Sequence, residues 1–210
     1  MNLEAARVLG ENGGMSQSWS AFEWHAEPQS WAAHTDGTLD VVTAKGGDFW
    51  RETQYGFTHD DGHAFLRDAP DEFTASVRVS GEYAELYDQA GLMLRANERH
   101  WCKVGVEYVG RQQWSAVVTH DKSDWSVQPA EAHAEVTFRM IRRDDALILH
   151  ARATDRERWT LLRVAPFPPG LGARVGILAG SPGRAGFRAH FHDFQLAGPD
   201  RRPLHELGEP

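Results

Sequence analysis

One cysteine, Cys102, stands in the 210-residue chain. No intramolecular disulfide can form, and structural zinc sites built on several cysteines are excluded. Basic residues are scarce: 22 Lys and Arg face 30 Asp and Glu, for a formal net charge of −8. Nucleic acid and anionic membrane surfaces both need a basic footprint, so neither is expected as a partner. No apolar run approaches the ~18 residues of a membrane span. Residues 1–10 carry no basic start followed by an apolar stretch, so they do not read as a secretory signal. The expected location is cytoplasmic. Also missing are a glycine-rich phosphate loop ahead of a helix, a Gly-x-Ser-x-Gly elbow and a His-Glu-x-x-His motif. Nucleotide-dependent, α/β-hydrolase and metalloprotease chemistry is therefore unsupported, and no cofactor is implied.

Apolar residues make up 41% of the chain and include eight Trp and ten Phe, enough for a substantial core. After residue 18 no long segment shows helical periodicity. Short alternating runs recur instead, bounded by Gly, Pro, Asp and Asn, the pattern of an all-β sandwich. They cover Phe73 to Val79, Ala90 to Arg95, Trp101 to Tyr108, Trp114 to Thr119, Glu135 to Arg142, Ala146 to Ala153, Trp159 to Val164, Ala173 to Ala179 and Phe187 to Leu196. Turns are expected at Gly110 and at Asp144-Asp145. A short helix over 2–9, capped by Asn2 and stopped by Gly10, and a linker over 11–18 form an N-terminal extension, residues 1–18. One domain spans 19–197, and a proline-bearing tail, 198–210, reads as irregular.

Four clusters are individually uncommon and jointly specific: Asp48-Phe49-Trp50-Arg51 with Thr53-Gln54-Tyr55-Gly56; Tyr87-Asp88-Gln89-Ala90-Gly91-Leu92-Met93; Trp101-Cys102-Lys103-Val104-Gly105-Val106-Glu107; and Ser115-Ala116-Val117-Val118-Thr119 with Ser123-Asp124-Trp125-Ser126. Together they resemble an uncharacterised family labelled "regulation of enolase protein 1", in the concanavalin A-like lectin/glucanase group. The resemblance implies a jelly-roll sandwich of two antiparallel sheets with one concave face, and implies no established reaction.

The 101–107 run carries the most information. Alternation places Cys102, Val104 and Val106 on one face and Trp101, Lys103, Gly105 and Glu107 on the other. Two readings fit the second face: a groove floor in which Gly105 leaves room for a ligand ring, or a solvated outer face with a glycine at a bend. Sugar binding needs an aromatic surface for the apolar ring face beside groups that pair with hydroxyls. The candidate ligand-binding residues are Asp48, Trp50, Arg51, Tyr55, Tyr87, Gln89, Trp101, Lys103, Glu107 and Trp125. Burial for packing is the competing reading for each aromatic. Trp125 is favoured because Ser123-Asp124-Trp125-Ser126 reads as a loop.

An enzyme would use Glu107, with Lys103 as a further catalytic candidate, and would need a second carboxylate such as Asp48 or Asp88 brought close by an unknown strand order. A binding module would show one well-placed carboxylate, whereas an enzyme would show two in a cleft, one of them perturbed. A regulatory protein-interaction module is the third reading. His190-x-His192 reads as exposed rather than metal-binding, His59-Asp60-Asp61-Gly62-His63 as a hairpin turn, and Cys102 as a small buried hydrophobe. The expected partner is a small carbohydrate or sugar-like ligand. An anionic sugar would meet Lys103 and Arg51.

Overall fold

The computed structural model describes residues 19–209. The helix expected over 2–9 and the linker over 11–18 lie outside the described residues. Among the described residues the strands are β1 (Glu23–Trp24), β2 (Ser30–Ala33), β3 (Leu39–Val42), β4 (Phe49–Arg51), β5 (Thr58–Asp60), β6 (His63–Asp68), β7 (Phe73–Gly81) and β8 (Gln89–Asn97). They continue with β9 (His100–Tyr108), β10 (Gln112–His120), β11 (Lys122–Pro129), β12 (Val136–Arg143), β13 (Ala146–Arg152), β14 (Thr160–Pro166), β15 (Arg174–Gly180) and β16 (Arg188–Ala197). Two seven-stranded antiparallel sheets pack face to face, in the orders β1-β6-β15-β8-β9-β10-β11 and β14-β13-β12-β7-β16-β3-β2. The nine runs read from alternation are all strands. No helix among the described residues is long and apolar enough to cross a membrane.

Period-two patterning explains the sandwich. Leu92 and Leu94 of β8, Cys102, Val104 and Val106 of β9, and Ala116 and Val118 of β10 point inward. They meet Ala75, Val77 and Val79 of β7 and Val136, Phe138 and Met140 of β12. Each fully buried Val, Leu, Phe or Met among them stabilises the fold by about 1.5–3 kcal/mol. Cys102 belongs to this core, and burial pushes its thiol up to about 12. The β9–β10 and β12–β13 hairpins turn through Gly110 (φ 79°) and Asp144 (φ 51°), both left-handed.

The first sheet also carries apolar side chains on its outer, concave face: Ala64, Leu66, Met93, Trp101, Val117 and Leu178. Phe49 and Trp50 cover them, brought there by the separate two-stranded hairpin β4–β5. The 59–63 segment thus differs from the expected hairpin turn. β5 pairs with β4, whereas β6 pairs with β1 and β15. The Asp61 and Gly62 amides donate to the Asp48 carbonyl, so this corner turns the chain off the hairpin and into the sheet. The 123–126 segment is no loop either. It lies inside β11, in register with β10, with Trp125 opposite Val117. Its polar residues alternate on an edge strand, where one face and one edge meet water.

The tail has no strand, yet it is anchored. Leu207 is buried against Ile141 and Ile148, Arg139 donates to the Leu207 carbonyl, and Arg143 donates to the carbonyls of Asp200 and Arg202. His190 holds Asp40 Oδ1 at 2.6 Å while His34 holds its Oδ2 at 2.8 Å. No cluster of three or more metal-ligating side chains occurs among the described residues.

Candidate functional site

Lys103, Gly105 and Glu107 face the concave side, as the alternation of β9 requires. Gly105 lies opposite Gly91 of β8 and Ser115 of β10. A Cβ on Gly105 would sit 2.2 Å from the Ala90 carbonyl oxygen and 2.9 Å from the Gly91 Cα. The pair of glycines therefore serves close approach of two backbones. The recess at Gly105 encloses only about 10 Å³, no more than a water needs. Room for a ligand ring comes from elsewhere.

Asp48, from the segment leading into β4, reaches down to this floor. Lys103 Nζ donates to Asp48 Oδ1 at 2.9 Å and to Gln89 Oε1 at 2.8 Å. Gln89 Nε2 donates to the same Asp48 oxygen at 2.9 Å, and the Phe49 amide donates to it at 2.7 Å. A largely buried ammonium is thereby matched by a carboxylate and an amide. Gln89 is a positioning residue, buried beneath the network rather than open to solvent.

Glu107 is 8% exposed, and burial pushes its carboxyl above the usual range. Lys103, Ser115 and Trp125 pull it down, and Asp48 adds to the rise. Trp125 Nε1 donates to Glu107 Oε2 at 3.1 Å and to Ser115 Oγ at 3.0 Å. A raised folded value means the folded chain holds this proton more tightly than the unfolded chain. Above both values the buried charge therefore costs stability. Glu107→Gln is expected to melt above the wild type at pH 8, with the gap closing as pH falls toward 4.5. A pH-independent gap in calorimetric scans would refute the assignment.

Above the floor is an open cavity of about 250 Å³ lined by Asp48, Lys103, Glu107 and an aromatic wall. Trp50 meets Tyr55 and Trp125 edge-on, with centroids 5.7 and 6.3 Å apart, and Tyr55 stacks on Phe57 at 5.4 Å. Tyr55, Phe57 and Trp125 stay 49, 45 and 37% exposed, although Tyr55 and Phe57 cover one face of each other. Tyr87 enters from the start of β8 with a left-handed backbone (φ 66°), uncommon for an aromatic residue. Its neighbour Tyr55 and burial push its phenol above the ordinary value.

Asp48, Trp50, Tyr55, Tyr87, Lys103, Glu107 and Trp125, seven of the ten candidates named from the sequence, line one cavity. Three candidates do not join them: Gln89, which lies beneath the floor, Trp101 and Arg51. Trp101 has the predicted face but is fully buried under Phe49, at 5.8 Å between ring centroids. Arg51 points away: its Nε donates to the Asp121 carbonyl and its amide to Ser123 Oγ, so it ties the β4–β5 hairpin to β11. Asp88 is also turned from Glu107, toward Arg184 and Ser181. The sequence reading missed Phe57, His59, Val117 and Pro182 of the lining. Phe57, following the Tyr55-Gly56 motif, carried the one available signal.

A family described as "Protein of unknown function (DUF1349)" matches residues 24–199. "Regulation of enolase protein 1" of Saccharomyces cerevisiae is 37% identical over 185 residues, 88% of this chain and 93% of that protein. A crystal structure of a functionally unknown protein from the same yeast superposes with a TM-score of 0.83 at 36% identity, covering 88% of this chain and all of that one. The GH43 BlXynB protein from Bacillus licheniformis shares the fold at 15% identity and a TM-score of 0.66, over 85% of this chain and 37% of that one. An alginate lyase from Klebsiella pneumoniae shares it more distantly, at 9% identity and a TM-score of 0.54, over 82% of this chain and 85% of that one. By the extent of the family match and the identity to the yeast protein, the chain belongs to the DUF1349 family.

Proposed function

We propose that the concave-face cavity binds a small carbohydrate or sugar-like ligand. The observation that carries this reading is the combination, in one cavity, of exposed aromatic faces from Tyr55, Phe57 and Trp125 with a hydrogen-bonding floor of Asp48, Lys103 and Glu107. A pyranose presents the complement of both: an apolar C–H face and a rim of hydroxyls. Each hydroxyl exchanges water for protein at small net gain, so affinity is modest and stacking dominates.

A thermal-shift screen of neutral sugars and sugar metabolites tests it. A bound ligand raises the melting temperature by mass action. Trp125→Ala, which removes one stacking face and a donor to Glu107, is expected to weaken binding about 3- to 10-fold. The absence of a shift with any sugar would end the reading.

A second reading is favoured by one observation: Asp48 and Glu107 line the same cavity, and Glu107 has a raised pKa. That is the arrangement an acid/base enzyme needs. The two readings part on product analysis. Under the enzyme reading the wild type converts a bound sugar and Glu107→Gln binds it unchanged. Under the binding reading the ligand is recovered intact from both.

A further inference from the structure

We infer that this cavity reads a single uncharged ring through two adjacent hydroxyls, with Asp48 and Glu107 accepting and Lys103 donating. The inference rests on the carbohydrate reading and specifies its ligand class.

Charge carries the first part. The ammonium of Lys103 is already engaged by Asp48 and Gln89. Arg51, the other expected anchor for an anion, is spent on the Asp121 carbonyl. Arg95, on the concave face of the same sheet, is paired with Asp60 through Nη2 at 2.6 Å. A phosphate or carboxylate entering the cavity would meet two carboxylates, one neutralised ammonium and His59, which already faces Asp61 at 3.2 Å. A hydroxyl meets no such penalty, because it donates to a carboxylate at no charge cost.

The floor carries the second part. Its donors to Asp48 all converge on Oδ1, which leaves Oδ2 to the cavity that Asp48 lines. Lys103 has three N–H donors and spends two on protein partners, leaving the third. Glu107 lines the same cavity and responds to both Lys103 and Asp48. Two acceptors and one remaining donor on the same cavity floor fit two neighbouring hydroxyls that each donate to a carboxylate, one of them also accepting from the ammonium.

Shape carries the third part. Phe49 and Trp50 pack over Trp101, Met93 and Leu178, so the hairpin blocks one end of the concave face. Tyr55 of the hairpin and Tyr87 ahead of β8 line the cavity together. A long chain running along the face would meet this hairpin, whereas a single ring fits the open cavity beside it.

Isothermal titration of the unmodified protein tests this, so folding does not confound it. The probes are glucose, galactose, mannose, xylose and arabinose, with their uronates and phosphates where these exist, the monodeoxy forms of the best binder, and its β-linked tetramer. Neutral monosaccharides are expected to bind at least 10-fold tighter than their charged counterparts. Loss of either of one adjacent hydroxyl pair is expected to cost about 10-fold, and other deoxy positions under 3-fold. The tetramer is expected to bind no tighter than the monomer. Preference for uronates or phosphates, or affinity rising with chain length, overturns this inference and leaves the carbohydrate reading standing. No binding by any probe overturns both.

Discussion

Asp88→Ala is expected to cost roughly 2–3 kcal/mol of folding free energy, the range for stranding buried hydrogen-bond donors of a charge-assisted network. The Asp88 side chain is fully buried. Arg184 Nη2 donates to its Oδ2 at 2.7 Å, and Ser181 Oγ donates to Oδ1 at 2.6 Å. The amides of Ala84 and Glu85 donate to Oδ2, each at 2.9 Å. Truncation strands all four donors, of which the Ser181 hydroxyl is fully buried. Burial by itself raises the Asp88 carboxyl, but the bonds from Arg184, Ser181, Glu85 and Ala84 outweigh it and hold the group below 3.8. With a depressed folded value, the contribution is full above the unfolded pKa and disappears as pH falls through the folded one. Urea midpoints should therefore show the wild type losing an increment below about pH 3.8 that Asp88→Asn never has. The damage reaches the site, because Asp88 lies between Tyr87 and Gln89 and its carbonyl accepts from the Tyr108 amide. A loss under 1 kcal/mol for Asp88→Ala would sink this account.

Gly105→Ala is expected to lose about 3 kcal/mol or more, or to leave no folded protein. The added methyl would lie 2.2 Å from one backbone atom and 2.8 Å from the next, both of Ala90. Neither is the end of a flexible side chain, so two central strands would have to separate. Gly172→Ala is the matched control. Nothing lies within 4 Å of a Cβ there, and its backbone is not left-handed. It should stay within about 0.5 kcal/mol of the wild type. Equal urea midpoints for the two variants would show that the close strand approach has no energetic weight.

The same two residues show how far sequence alone reaches. A glycine between Lys103 and Glu107 marks a special place in a strand, but spacing cannot say whether the missing side chain makes room for a ligand or for another backbone. The partner that decides it, Ala90 of β8, belongs to a different strand. Asp88 was legible as a carboxylate near the site. Its direction was not, because Arg184 and Ser181 are nearly a hundred residues away in sequence.

What the sequence determined by itself is what local periodicity encodes. Alternation in 73–79, 101–108 and 135–142 sorted the core face from the outer face correctly, since a strand's side chains have no third direction. It placed Lys103 and Glu107 on one side and Cys102 on the other without knowledge of any neighbour. The edge strands β1, β2 and β11, the interior strands β3 and β6 and the short hairpin escaped it. Strands β4 and β5 have three residues each, too few to show a period. The polar face of β11 imitates a loop. Only the tertiary structure decided which of the concave-face aromatics stay open. Trp101 and Trp125 belong to the same face of the same sheet. The hairpin buries the first and leaves the second beside the cavity, because Phe49 and Trp50 settle over Met93 and Trp101 at one end of the strands. Folding of one chain segment over another is a long-range event, and no local pattern records which residues it will cover.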